Sequence, residues 1–351
     1  MTATPQALSP TAMQSQAKRR KSDQLRYMIM MLVAVGLLIT GAACSLRFGA
    51  VSLDIKAIAA LWQHPDVTSS TYQILWNLRL PRLLVGALVG MNLAISGVLL
   101  QAVMRNPLAG PNIVGITAGA GLAATIVLVL VPGWPLFLPV LALLGAMGTG
   151  VTVYSISWRP GSGTSPIRMV LAGVAITAML GAMTSFLMVL YAERVGSVIL
   201  WLSGSLNARS WRHFQLIWPY SLVGCLASML LIRTMNVLQL GDDTAKSLGI
   251  RVEWMRGMAL LVASLLAASA VSVAGMIGFV GLMVPHITRL LCGTNHARVL
   301  PLAAILGTAL IVWCDLFSRM ALAPIEMPVG IITALVGGPY FIFLLYKTKA
   351  L

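Results

Sequence analysis

Apolar runs of membrane-spanning length recur along this chain, and no other feature restricts its fold as much. A helix rising 1.5 Å per residue needs about 20 mostly apolar residues to cross a hydrocarbon core near 30 Å thick. Such runs lie near 28–46, 83–103, 113–132, 135–157, 167–191, 214–233, 257–273, 276–292, 299–321 and 328–346. The boundary between the seventh and eighth comes from Gly275 and Gly278, because the 35 nearly uncharged residues between Arg256 and Cys292 are too many for one helix. Only 9% of the 351 residues are charged, against roughly 25% in a soluble domain. The expected class is an all-α, polytopic membrane protein of about ten transmembrane helices.

The net charge of +15 could suggest nucleic acid as a partner, but topology accounts for it better. With ten spans and basic residues near both ends (Lys18, Arg19, Arg20, Lys21 and Arg26; Lys347 and Lys349), both termini are expected in the cytoplasm. That orientation puts 16 of the 24 Lys and Arg inside and eight outside, as the positive-inside rule requires. The partner implied is the lipid bilayer, with no nucleic acid. Residues 1–17 are uncharged and rich in Ser, Thr, Gln, Ala and Pro, so residues 1–25 read as a disordered basic cytoplasmic tail before a single transmembrane domain, 26–351. The basic run and apolar stretch have the outline of a signal peptide ending at Ala42, Ala43 and Cys44. The stretch is long enough to span, however, and Gly41 stands where a lipoprotein site wants a larger aliphatic residue. Cys44, Cys225, Cys292 and Cys314 fall in or at the ends of spans without ligand spacing and read as packing residues.

Two outer loops are long, 47–82 and 192–213, and their stretches "DIKAIAALWQ" and "WLSGSLNARSW" predict short interfacial helices. On the inner side, 234–256 contains a small predicted helix. Gly241 opens it, Asp242 or Asp243 can cap its free amides, Ala245 and Leu248 share a face, and Gly249 ends it. A shift of 178 residues superposes Gly97 on Gly275, Pro107 on Pro285 and Gly115 on Gly293. The two copies would run in opposite directions, which suggests an inverted repeat of the kind that builds transporters.

The chain shows no engine of its own. "GSGTSP" at 161–166 lacks the lysine of a phosphate loop, Gly119 and Gly121 read as helix packing, and no two carboxylates sit mid-membrane. Asp315 can pair with Arg319 on one helical face near the outer end. No catalytic residue, cofactor or metal site is expected.

The segments "NLRLPR" (77–82), "SGVLLQAVMRNPLAGPNIVGITAGAG" (96–121), "LGDDTAKSLGI" (240–250), "GMIGFVGLMVPHITRLLCG" (275–293), "CDLFSRM" (314–320) and "EMPVGIITALVGGPYFIFLL" (326–345) resemble the FecCD-type permeases. Those are membrane subunits of type II ABC importers for iron-siderophores, haem and cobalamin, and the likeness runs from about Arg26 to Lys347. It implies a second permease subunit, identical or different, around a central pathway. It also implies two cytoplasmic ABC ATPase subunits, an extracytoplasmic substrate-binding protein and a place in the bacterial inner membrane. By the same resemblance, Asp242, Asp243, Thr244, Ala245, Lys246, Ser247, Leu248 and Gly249, within a coupling helix at about 241–250, meet an ATPase. Arg79, Arg82 and Arg319 offer cations to acidic residues of the binding protein, or else snorkel or pair internally. Pro285, His286 and Arg289 fall at the cytoplasmic end of a span whose Gly275, Gly278 and Gly281 permit close contact. With Asn106 and Pro107, their counterparts in the self-alignment, they are candidate gate turns. His286 has no second ligand at helical spacing, so a metal is not expected there. The rival readings are an ion-coupled secondary transporter and a membrane subunit that moves nothing. A ferric siderophore is the favoured cargo, with haem or cobalamin as alternatives.

Overall fold

The computed structural model describes residues 10–49, 51–54, 67–159 and 163–347. The chain is helical nearly throughout: α1 (Pro10–Arg47), α2 (Ser70–Met104), α3 (Ile116–Leu130), α4 (Leu138–Ser157), α5 (Pro166–Leu190), α6 (Val195–Leu202), α7 (Trp211–Leu230), α8 (Ile232–Leu238), α9 (Asp242–Ser247), α10 (Val252–Ala274), α11 (Val280–Cys292), α12 (His296–Met320) and α13 (Val329–Lys347). A short antiparallel hairpin, β1 (Trp158–Arg159) and β2 (Gly163–Thr164), joins α4 to α5.

Helix α2 is the central post, packed against α7, α10, α11 and α12. Lipid tails are as apolar as leucine, so helices in a bilayer associate by close fit and hydrogen bonding. Here small residues provide the fit. A Cβ on Gly90 would lie 2.2 Å from the Gly307 carbonyl oxygen of α12, and one on Gly97 would lie 1.8 Å from that of Gly281 in α11. Buried Asn92 adds hydrogen bonds to Ser221 of α7 (2.8 Å) and Ser269 of α10 (3.0 Å). Around this core α1 and α5 are mostly uncovered, and Leu32, Leu171, Val189 and Phe186 face outward.

Each of the ten expected runs holds helix, but their lengths differ. Among the described residues six helices are long and apolar enough to cross a membrane, α7 and α8 together form a candidate bent by 53°, and Ile116–Leu130, Val280–Cys292 and Val329–Leu344 are shorter. The runs expected at 113–132 and 276–292 begin in turns, because Gly115 and Phe279 adopt left-handed backbone (φ 78° and 65°). The break before α11 is stabilised by neighbouring backbone. Ser205 donates to the Ala274 carbonyl (2.8 Å), and Gly330 donates to that of Gly204 (2.9 Å). Non-helical chain at membrane depth requires such internal partners.

Three local expectations change. Helix α1 runs back to Pro10, so residues 10–25 are helical and not a disordered tail; Ala, Gln, Lys and Arg are good helix formers that extend the apolar span. "WLSGSLNARSW" holds the end of α6, Trp201 and Leu202, then leaves helix, with Gly204 at φ 68°, until Trp211 opens α7. "DIKAIAALWQ" lies outside the described residues except for Asp54. In the self-alignment Gly115 and Gly293 are both left-handed, whereas Gly97 is mid-helix and Gly275 ends α10.

Candidate functional site

Arg82 and Arg105 lie at opposite ends of the long straight stretch of α2, about 35 Å apart at 1.5 Å per residue. Each belongs to a separate ionic cluster. In the topology expected from the charges, Arg105 faces the cytoplasm and Arg82 the outside.

At the Arg105 end, α9 is held by few contacts. Ala245 is its only fully buried side chain, while Asp243, Thr244, Lys246, Ser247, Leu248 and Gly249 are exposed. Ala245 and Leu248 therefore do not share a buried face: Leu248 is 61% exposed. Gly241 (φ 108°) and Gly249 (φ 78°) bracket the helix, as their positions predict. Neither Asp242 nor Asp243 caps it. The Asp242 carboxylate instead accepts from Arg256 of α10 (3.0 and 3.2 Å) and from Arg105, the left-handed residue that ends α2. An expected cap is thus a tertiary ion pair, and Arg256 is a member of this cluster that sequence reasoning missed. A cation at the edge of an apolar run was the only available signal.

Of the expected gate residues, Asn106, Pro107 and Arg289 line one cavity of about 250 Å³ together with Gln101, Arg105 and Gln239. Arg289 donates to the Gln101 side-chain oxygen, and Gln101 donates to the Leu282 carbonyl (3.2 Å), which ties α2 to α11. The Asn106 side chain accepts from Leu108 N (2.8 Å), forming a turn. His286 and Pro285 do not line this cavity. His286 is hydrogen-bonded to Tyr340 of α13 at 2.8 Å, and Pro285 is buried within α11.

At the Arg82 end, the three arginines expected at a docking rim are buried, at 7% exposure for Arg79, 9% for Arg82 and 6% for Arg319. Arg79 donates to the carbonyls of Leu46 (2.6 Å), Arg47 (2.8 Å) and Val51, closing the end of α1 onto α2. Arg82 pairs with Asp315 (3.0 Å) and Glu326 (2.8 Å). Arg319 pairs with Asp315 one turn away (3.2 Å) and with the Ser45 hydroxyl (2.7 Å). The internal pairing of Arg319 with Asp315 is thus present. A cavity of about 470 Å³ opens beside the cluster, lined among others by Arg79, Arg82, Arg209, Arg319 and Glu326. Arg209, in the loop before α7, is the missed residue here. Its Nε is buried with no hydrogen-bond partner among the described residues, and burial, then the nearby charge of Arg82, pushes its pKa down to about 10. It remains a cation at neutral pH.

Comparison with known proteins places this architecture. Residues 37–347 match the FecCD transport family. The chain is 38% identical over 340 residues to the Fe(3+)-citrate import system permease protein YfmD of Bacillus subtilis (strain 168), covering 95% of this chain and 98% of that one. It is 36% identical to the hemin transport system permease protein HmuU of Yersinia pestis, over 89% of this chain and 94% of that one. A solved structure described as an inward-facing metal-chelate type ABC transporter superposes with a TM-score of 0.81 at 31% identity, over 91% of this chain and 99% of that one. The chain belongs to the FecCD transport family, as a multi-pass bacterial membrane permease with the type II ABC importer fold.

Proposed function

We propose that this chain is the translocating subunit of an ATP-driven importer in the bacterial inner membrane, with both termini in the cytoplasm, and that it passes a ferric siderophore or related ferric chelate inward from a binding protein. The observation that carries the reading is α9, whose exposed face is joined to the core by one buried side chain and one shared carboxylate. A surface presented in this way suits a separate ATPase subunit. Asp243 to Gly249 form the contact and Asp242 anchors it. The uncovered faces of α5 and α13 suit a second permease subunit around a shared pathway. Asn106, Pro107 and Arg289 form the inner gate turns, with Pro285 and His286 supporting them from α11. At the other end, Arg79, Arg82 and Arg319 shape a positively charged cavity for acidic residues of the binding protein, and Arg209, whose Nε has no partner among the described residues, adds a further cation. The relative named for Fe(3+)-citrate import supports a ferric chelate as cargo, and the relative named for hemin transport supports haem as the second reading.

The test is reconstitution in liposomes with candidate ATPase and binding-protein subunits. Uptake of ferric citrate or ferric hydroxamate that requires ATP is expected. Uptake driven by a proton or sodium gradient without ATP would favour a secondary transporter, and no flux of any chelate would favour a non-transporting subunit.

A further inference from the structure

Helix α9 contacts the rest of the chain through a guanidinium that also holds a different segment. Arg256, in the first turns of α10, is 1% exposed. Its Nη2 donates to both oxygens of Asp242 (3.0 and 3.2 Å), and its Nη1 donates to the Thr164 carbonyl in the α4–α5 hairpin (2.9 Å). Glu253, one turn earlier, holds the same hairpin from the other side of the peptide. Its Oε2 accepts from the Thr164 amide (2.7 Å) and hydroxyl (2.8 Å). Gly163 has φ 62°, and a Cβ there would lie 2.2 Å from the Glu253 carboxyl carbon, so the hairpin is seated with no clearance. Two residues later Pro166 begins α5, the candidate span with the smallest buried share.

We propose that Arg256 is the positioning residue that passes displacement of α9 to the α4–α5 hairpin, and through it to α5. This rests on α9 being the ATPase contact. The planar fork of arginine bonds a carboxylate and a carbonyl in fixed relative geometry, which a flexible lysine does not reproduce. Separating Asp242 from Arg256 would leave the buried guanidinium only the Glu253 carboxylate, 4.0 Å away, as counter-charge, so the pair moves together more readily than it parts. Apart from Ala245, α9 has no other buried side chain, and Asp242 is therefore its handle. Arg105 shares that carboxylate from a half-exposed position and steadies the end of α2.

The experiment compares wild type, Asp242→Asn, Arg256→Lys and Arg105→Gln as full complexes with ATPase and binding protein in nanodiscs and liposomes. Amide hydrogen exchange is followed with and without ATP, alongside cargo moved per ATP hydrolysed. In wild type, ATP is expected to alter exchange in both 242–248 and 163–168. In Asp242→Asn and in Arg256→Lys the α9 peptide still responds, the hairpin peptide does not, and cargo per ATP falls by about tenfold, within the range seen along coupled contacts. Arg105→Gln, which leaves the Arg256 contacts in place, keeps the hairpin response. A hairpin that responds normally in both Asp242→Asn and Arg256→Lys overturns the relay. So does a response lost in Arg105→Gln alone. If one of the first two variants does not assemble, the other decides. A wild-type complex in which the α9 peptide ignores ATP overturns the coupling role of α9 itself, and is thereby distinguished from failure of the relay.

Discussion

Arg82 of α2 donates through Nε to both carboxylate oxygens of Asp315 of α12, at 3.0 and 3.2 Å, and Arg319 pairs with the same carboxylate at 3.2 Å. One acid thus meets two buried cations and fastens two core helices at one end of the bundle. Asp315→Asn is expected to cost about 3–5 kcal/mol, the usual penalty for stripping a buried charge of its partner. Thermal unfolding in detergent reads this directly. A variant as stable as wild type would mean that Glu326 and the Ser45 hydroxyl suffice.

The arginines of this cluster should separate by role. Arg209→Gln removes the cation that has no carboxylate partner among the described residues, so stability should stay level or rise, while association with an acidic binding protein slows by about tenfold and loses salt dependence. Arg82→Gln should instead lower stability by leaving Asp315 and Glu326 undercompensated. Association rates across a salt series, measured beside melting curves, test both. Slower docking in Arg82→Gln than in Arg209→Gln at equal stability would return the docking role to the buried set.

Leu248→Asp places a charge on an exposed position of α9, so membrane insertion and melting should be unchanged. In the complex, the same charge would be buried in an ATPase cleft at a cost of several kcal/mol. ATPase co-purification and uptake should both fall. Normal uptake at normal expression would remove Leu248 from the contact.

Close packing of α2 is tested at Gly97. A valine there cannot coexist with the Gly281 carbonyl at 1.8 Å from its Cβ, so α2 and α11 must part, at roughly 1–3 kcal/mol. Gly36→Ala, with nothing within 4 Å of the new Cβ in the interior of α1, should leave stability level or raise it by up to about 1 kcal/mol, because Ala is the better helix former. Unfolding of both variants under the same conditions makes the comparison.

Hydropathy and backbone chirality act over a few residues, and what depends on them was legible in the chain itself. Each of the ten apolar runs holds helix, and Gly241 and Gly249 mark the ends of α9 as read. The pairing of Arg319 with Asp315 was legible for the same reason, since they are four residues apart on one helix. Charge partners across the fold were not legible. Asp242 looked like a cap from its neighbours, but Arg105, 137 residues away, claims its carboxylate along with Arg256. Arg82 meets Asp315 across 233 residues, and Arg256 meets Thr164 across 92. The lengths of α3 and α11 also depended on context, because unwound backbone at membrane depth persists only where other segments satisfy it. The sequence by itself determined that this chain crosses a membrane many times and that each of its ten apolar runs holds helix. Only the tertiary structure decided which cations are paired inside the fold, because burial and opposite charge arrive from segments that no local pattern records.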